Sequence, residues 1–213
     1  MKTLIKIPKQ ILILIILAVL LIAGRVVFTG SQYYIFLIWN IFLAFVPFVI
    51  SGALVRFLSD KKKYLSFIIV GGILWLFTFP NAPYLVTDVI HLRQNHMAPV
   101  WFDAMLLFVC AWIGMIFALY SLEHIEKVLL AFFSKIKSQI ILAILILISS
   151  FGIYVGRFLR WNSWDVVASP NSLSKDIWII LSHPSLHLEA YGLTFSMFLF
   201  IGLSYIAWKY RNK

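Results

Sequence analysis

The sequence predicts an all-α polytopic membrane protein: six transmembrane helices, the third of them broken, with an interfacial segment before the sixth. Three observations carry this expectation. Hydrophobic residues make up 62% of the 213 positions. The charged residues gather between long apolar runs rather than alternating with apolar ones as they would on a soluble fold. Six of those runs come near the ~20 residues that a helix needs to cross about 30 Å of hydrocarbon. No internal repeat, low-complexity tract or linker divides the chain, so residues 1–213 read as a single integral membrane domain. The net charge of +10 does not indicate a nucleic-acid partner, because the lysines and arginines sit at helix ends instead of forming one basic face.

In chain order, the basic start MKTLIKIPKQ leads into an apolar run from Ile11 to Phe28. This is the order of a secretory signal, with Ala23 and Gly24 small enough for cleavage. The run nevertheless continues to Phe28 with only Arg25 interrupting, which favours an uncleaved first span. The second span is expected over Tyr33–Val55, kinked at Pro47, with Ser51 and Gly52 admitting a close neighbour. The third apolar run, Tyr64–Phe79, covers roughly 24 Å as a helix and is short for the bilayer. Pro80 and Pro83 end it, since each removes a backbone donor and biases its predecessor away from helical torsions. A short helix capped by Asn81 is expected next, its backbone dipping into the membrane around a polar pocket.

The fourth span is expected over Trp101–Tyr120, the fifth over Ser138–Gly156 and the sixth over Glu189–Trp208. Cys110 falls inside the fourth and has no cysteine to pair with, which excludes an intrachain disulfide. Gly152 and Gly156 suit close helix packing within the chain. Ile177–Leu181 is apolar but too short to cross, and reads as an interfacial or re-entrant piece covering the pocket.

Thirteen of the lysines and arginines fall on the side of the two termini and the even-numbered connections, and five (Arg25, Arg93, Arg157, Arg160, Lys175) on the other. The positive-inside rule then places both termini in the cytoplasm, in a plasma membrane. Four of the five histidines, with Asp88, Asp103, Asp165, Asp176 and Glu189, gather on the opposite, extracytoplasmic side; His124 alone among the histidines is inside.

On that side three groups of residues carry candidate chemistry. Thr87, Asp88 and His91 stand at i, i+1 and i+4 and would share a helix face. Arg157, Arg160, Trp161 and Trp164, spaced by three and four, would line one side of a prolonged fifth helix, with Asn162 and Asp165 close by. Tryptophans and snorkelling arginines are ordinary interface anchors. Paired guanidinium forks also suit an anionic lipid headgroup. His183 and His187, four apart around Pro184, would point the same way from the start of the sixth helix. With His91 they make a three-imidazole zinc set; alone they are interfacial histidines bonded to headgroups or water. Asp103 is costly to bury alone, and is either the ion-pair partner of Arg157 or Arg160 or a general base acting on metal-bound water. His96, in a loop beside Met97 and Pro99, receives no role.

With these residues in view, the chain resembles a family of uncharacterised bacterial multi-pass membrane proteins. The resemblance rests on Pro80-Asn81-Ala82-Pro83-Tyr84 with Thr87-Asp88 and His91-Leu92, on Trp101-Phe102-Asp103, and on the run Gly156 to Asp165. It implies no activity. A looser resemblance, of arrangement only, is to membrane hydrolases of the alkaline ceramidase and adiponectin-receptor type, which hold zinc with one early histidine and a late HxxxH. It would put Thr87, His91, Asp103, His183 and His187 in the corresponding places, with threonine for serine and six spans for seven.

The function expected from these groups is a metal-dependent hydrolase or transferase acting on a lipid or lipid-linked substrate. Zinc would sit on His91, His183 and His187, protons would pass through Asp88 or Asp103, and Asn81 with Arg157, Arg160, Trp161, Asn162, Trp164 and Asp165 would contact the substrate. The other class of reading is a non-enzymatic carrier or accessory protein whose polar residues form a permeation site, a docking site or a structural ion-pair network.

Overall fold

A computed structural model describes residues 9–93, 97–162 and 164–210, so the loop position of His96 lies outside the described residues. Among them there is no strand, and six helices are long and apolar enough to cross a membrane. The protein is an all-α, multi-pass membrane protein. It divides into two compact units, one ending at Ala131 and the other beginning at Phe132.

The first unit contains α1 (Lys9–Thr29), α2 (Phe36–Arg56), α3 (Leu65–Thr78), α4 (Asn81–Tyr84) and α5 (Val100–Phe132). A 3-10 turn, Tyr33–Ile35, leads into α2, and a 3-10 helix, Leu85–Arg93, follows α4. Of the spans, α5 is the most enclosed, with 67% of its most apolar window buried against 22–39% for the others. It is also longer than the apolar run suggests. Beyond Tyr120, Leu122, Ile125 and Val128 remain buried at helical spacing, and the Lys127 ammonium donates to Glu123 one turn back at 2.8 Å. The helix therefore continues to Phe132, and near its end Lys61 donates to the carbonyl of Ala131.

The broken third segment stays helical across its prolines. Pro80 takes the N-cap position of α4 and Pro83 lies in its first turn, where a missing N–H breaks no helical bond. The helical backbone reaches Leu92, giving a 28-residue candidate span, so the short run needs no re-entrant dip to cross. Asn81 is the first residue of α4, and the cap at Pro80 has no side-chain hydrogen bond, so Asn81 does not cap the helix as expected.

Gly114 of α5 is what lets this segment sit close. A Cβ there would lie 2.3 Å from the carbonyl oxygen of Ala82 and 3.3 Å from the Leu85 Cβ, so the backbones of α4 and α5 meet where only glycine fits.

The second unit contains α6 (Lys135–Arg157), α7 (Asp165–Ala168), α8 (Pro170–Ser182) and α9 (Leu188–Tyr210). Here α6 and α9 pack along each other, and at one end Ile180 of α8 joins Tyr154 and Ala190 in a small buried cluster flanked by Phe151, Leu159 and Leu193. The apolar Ile177–Leu181 piece forms the second half of α8, which at 13 residues is about 20 Å long and too short to cross.

Candidate functional site

The first unit gathers a polar cluster at the end where α1 finishes and α5 begins. Its centre is a buried ion pair. Arg25 of α1 donates from Nε to Asp103 Oδ1 at 2.7 Å and from Nη2 to Oδ2 at 3.1 Å, and both residues are 1% exposed. The fork-on-carboxylate geometry is the strong form of this bond and satisfies both oxygens of the aspartate. The Tyr34 ring lies under the guanidinium carbon at 4.4 Å, adding a cation–π contact in a desolvated place. Sequence spacing suggests Arg157 or Arg160 as the partner of Asp103; the structure gives that role to Arg25. An arginine inside an apolar run of that length requires a buried partner, although spacing does not say which residue it is.

The same tyrosine ties the pair to the segment after α4. Tyr34 donates its hydroxyl to the carbonyl of His91 at 3.1 Å, and the Tyr33 hydroxyl shares a hydrogen bond with His91 Nδ1 at 3.1 Å. The His91 ring also meets the Phe36 ring edge-on, with centroids 5.0 Å apart.

Asp88 sits one 3-10 turn before His91. In a helix of three residues per turn Leu85, Asp88 and His91 eclipse, whereas Thr87 turns away and bonds to the Tyr84 carbonyl at 2.7 Å. The expected i, i+4 face is thus replaced by an i, i+3 one. His91 Nε2 stands 4.0 Å from Asp88 Oδ1, and Asn40 of α2 donates to Asp88 Oδ2 at 3.1 Å. Asp88 is fully buried and His91 half-buried, so the histidine is the member of this pair that a ligand can reach. Nine residues of 3-10 helix is well beyond the usual three or four, and such stretches often mark functional segments.

A second polar chain lies further along α5 and was missed in the sequence, where isolated Ser and Trp residues in apolar runs carry no periodic signal. Trp75 of α3 donates to Ser121 Oγ at 2.7 Å. The one Ser121 hydroxyl proton lies within reach of Ser51 Oγ at 3.1 Å and of the Pro47 carbonyl at 3.2 Å, and Ser51 meets His124 Nδ1 at 3.2 Å. These bonds join α2, α3 and α5 where hydrocarbon offers no water to satisfy them.

In the second unit the motif after α6 takes a different form from the one expected. The helix ends at Arg157 and does not continue through Trp164. Arg160 has φ of +60°, a left-handed conformation that ends a right-handed helix, and the Trp161 N–H reaches back to the Val155 carbonyl at 3.3 Å. Arg157, Arg160, Trp161 and Trp164 therefore do not line one helical side. Trp161 instead donates its indole N–H to Asp176 of α8 at 3.0 Å, and Asp165 accepts from the Asn162 backbone and side-chain amides at 2.6 and 3.3 Å, closing a turn into α7. Trp164 is exposed.

The two late histidines are also not on one helix. Pro184 opens a separate 3-10 turn, Pro184–Leu186, with His183 and His187 as its flanking caps and α9 starting only at Leu188. Both caps have φ near −125°, off the helical track, so i, i+4 alignment is lost. His183 is exposed with its Nδ1 2.9 Å from Ser182 Oγ, while the His187 carbonyl accepts from Ala190 at 2.9 Å at the start of α9. Among the described residues no group of three or more His, Cys, Asp or Glu side chains is arranged to hold a metal ion.

Residues 39–204 match the family model described as protein of unknown function (DUF1361). The chain belongs to the DUF1361 family. The matched stretch takes in every candidate residue from Asn40 to His187, and Arg25, Tyr33 and Tyr34 lie ahead of it. Comparison with curated proteins and with solved structures gives this DUF1361 member no match.

Proposed function

We propose that this DUF1361 protein is a membrane-embedded hydrolase or transferase acting on a lipid or lipid-linked substrate, with His91 as its acid–base group. The observation that carries the reading is the setting of that imidazole. It is partly open, held at one nitrogen by Tyr33 and faced at the other by the buried carboxylate of Asp88. A histidine so oriented accepts a proton from an attacking water or hydroxyl and returns it to the leaving oxygen, while the nearby carboxylate stabilises the imidazolium between the two steps. Asp103 has a different part. With both oxygens on Arg25 it holds the scaffold and is not the proton-handling group.

The excess of Lys and Arg on the opposite connections supports a plasma-membrane orientation with both termini cytoplasmic and His91 on the outer side. A bound zinc ion, and an anionic headgroup met by Arg157 and Arg160, are separate expectations from the sequence, and the proton steps above do not require a metal. Elemental analysis of the detergent-purified protein tests zinc separately. Near-stoichiometric metal that disappears in His183→Ala with His187→Ala supports it, and a metal-free wild type removes it.

For the acid–base step, wild type and His91→Gln are reconstituted with a total polar lipid extract, and the products are followed by mass spectrometry. Loss of a positioned acid–base group costs about 10²–10⁴-fold in rate. A wild-type product that falls by that factor in His91→Gln, at an unchanged thermal midpoint, supports the reading. A wild type that forms no product, or a variant as fast as wild type, overturns it.

A second reading is favoured by one observation, the pairing of both Asp103 carboxylate oxygens with Arg25. In it the cluster is a structural ion-pair network of a non-enzymatic accessory protein, and His91→Gln changes stability alone.

A further inference from the structure

Helix α8 presents more apolar surface than the protein covers. At 100° per residue, Ile180, Leu173, Ile177, Leu181 and Trp178 fall in that order around an arc of roughly 160°, interrupted only by the small Ser174 between the last two. Leu173 and Ile180, at one edge, are buried, and Ile180 packs on Tyr154 and Ala190. Trp178 and Leu181, at the other edge, are 70% and 53% exposed. The opposite side of the helix carries Asn171, Ser172, Lys175, Asp176 and Ser182, with Ile179 the one apolar residue among them, so the apolar strip is bordered by polar residues on both edges.

Where α8 sits decides what meets this strip. Tyr154 lies one turn from the end of α6, and Ala190 lies in the first turn of α9. Both helices are spans, so the cluster that anchors Ile180 is at the level where two spans leave the hydrocarbon. Trp164, Leu186 and Leu188, on the chain on either side of α8, are exposed as well. Exposed apolar residues thus run from the strip through Leu186 to Leu188 at the start of α9, and a tryptophan with an apolar body and one N–H donor suits the headgroup boundary.

We propose that α8 lies along the membrane surface with Trp178 and Leu181 inserted into the lipid, at the glycerol and upper acyl level. Its partner is phospholipid as such and not one headgroup. Lys175 and Asp176 offset each other on the polar side, so the contact is driven by apolar area and not by attraction to anionic lipid. This inference does not depend on the chemistry assigned to His91.

The test uses full-length protein carrying Cys110→Ala, with single cysteines at Trp178→Cys, Leu181→Cys, Ser172→Cys and Lys175→Cys. Each is nitroxide-labelled and reconstituted in phosphatidylcholine vesicles. Collision rates with oxygen and with a water-soluble nickel chelate are then read by electron paramagnetic resonance. Labels at 178 and 181 are expected to favour oxygen and to lie about 5–10 Å below the headgroup boundary, with those at 172 and 175 favouring nickel. Adding phosphatidylglycerol should leave all four unchanged. If 178 and 181 meet nickel as freely as 175, the helix stands in water and the proposal is wrong. If they are immobilised and shielded from both reagents, protein rather than lipid covers the strip, and the proposal is equally wrong.

Discussion

Two dense polar motifs in this chain have met opposite fates. The one around Arg25, Asp88, His91 and Asp103 is folded inward, with a bidentate ion pair and an aspartate fully removed from solvent. The one from Arg157 to Asp165 is an exposed turn whose bonds close over short distances, from Asn162 to Asp165 and from Trp161 to Asp176. Both look alike as strings of polar residues beside apolar runs. The difference lies in what each residue is bonded to. Partners drawn from five separate elements make the first a tertiary network, and shorter-range partners make the second a local connection.

That contrast sets the size of the effects expected on mutation. Arg25→Ala leaves the Asp103 carboxylate buried and unpaired and should cost about 3–5 kcal/mol, seen as a collapse of the thermal midpoint in detergent. Removing both charges as Arg25→Met with Asp103→Leu should restore most of it. Gly114→Val drives a side chain into the Ala82 backbone carbonyl, which cannot move as a flexible side chain would. It should cost about 1–3 kcal/mol and loosen the segment carrying Asp88, which amide exchange in peptides from the 3-10 helix Leu85–Arg93 would report. Trp161→Phe removes one indole bond to Asp176 in the exposed turn and should cost no more than about 0.5–1.5 kcal/mol by the same thermal assay. If Trp161→Phe proved as damaging as Arg25→Ala, the distinction between network and connection would fail.

Much of the fold was legible in the sequence, because six apolar runs of sufficient length have few other uses. The errors came where a local rule met a tertiary one. The run after Tyr120 contains Glu123, His124, Glu126 and Lys127 and reads as a helix end, yet its apolar positions keep their period and α5 runs on. Pro80 and Pro83 do end α3, at Thr78, but each also occupies a position where a helix start tolerates proline, so helical backbone resumes and reaches Leu92 where a dip into the membrane is expected.

For the site, Asp88, His91 and Asp103 were legible as ionisable groups out of place in apolar surroundings. Their partners were not. Nothing in spacing joins Asp103 to Arg25, 78 residues away, or Asp88 to Asn40, 48 away. The HxxxH pattern misled for a local reason, since Pro184 divides it between two caps.

The most direct test of the buried network is a double-mutant cycle on Arg25 and Asp103, with unfolding followed in bilayer-mimicking detergent for wild type, Arg25→Met, Asp103→Leu and the pair. The account predicts that each single change is far more damaging than the double, with a coupling above about 1 kcal/mol. Single effects that simply add would contradict it, and would leave Arg25 and Asp103 as independent residues with no shared bond to hold His91 in place.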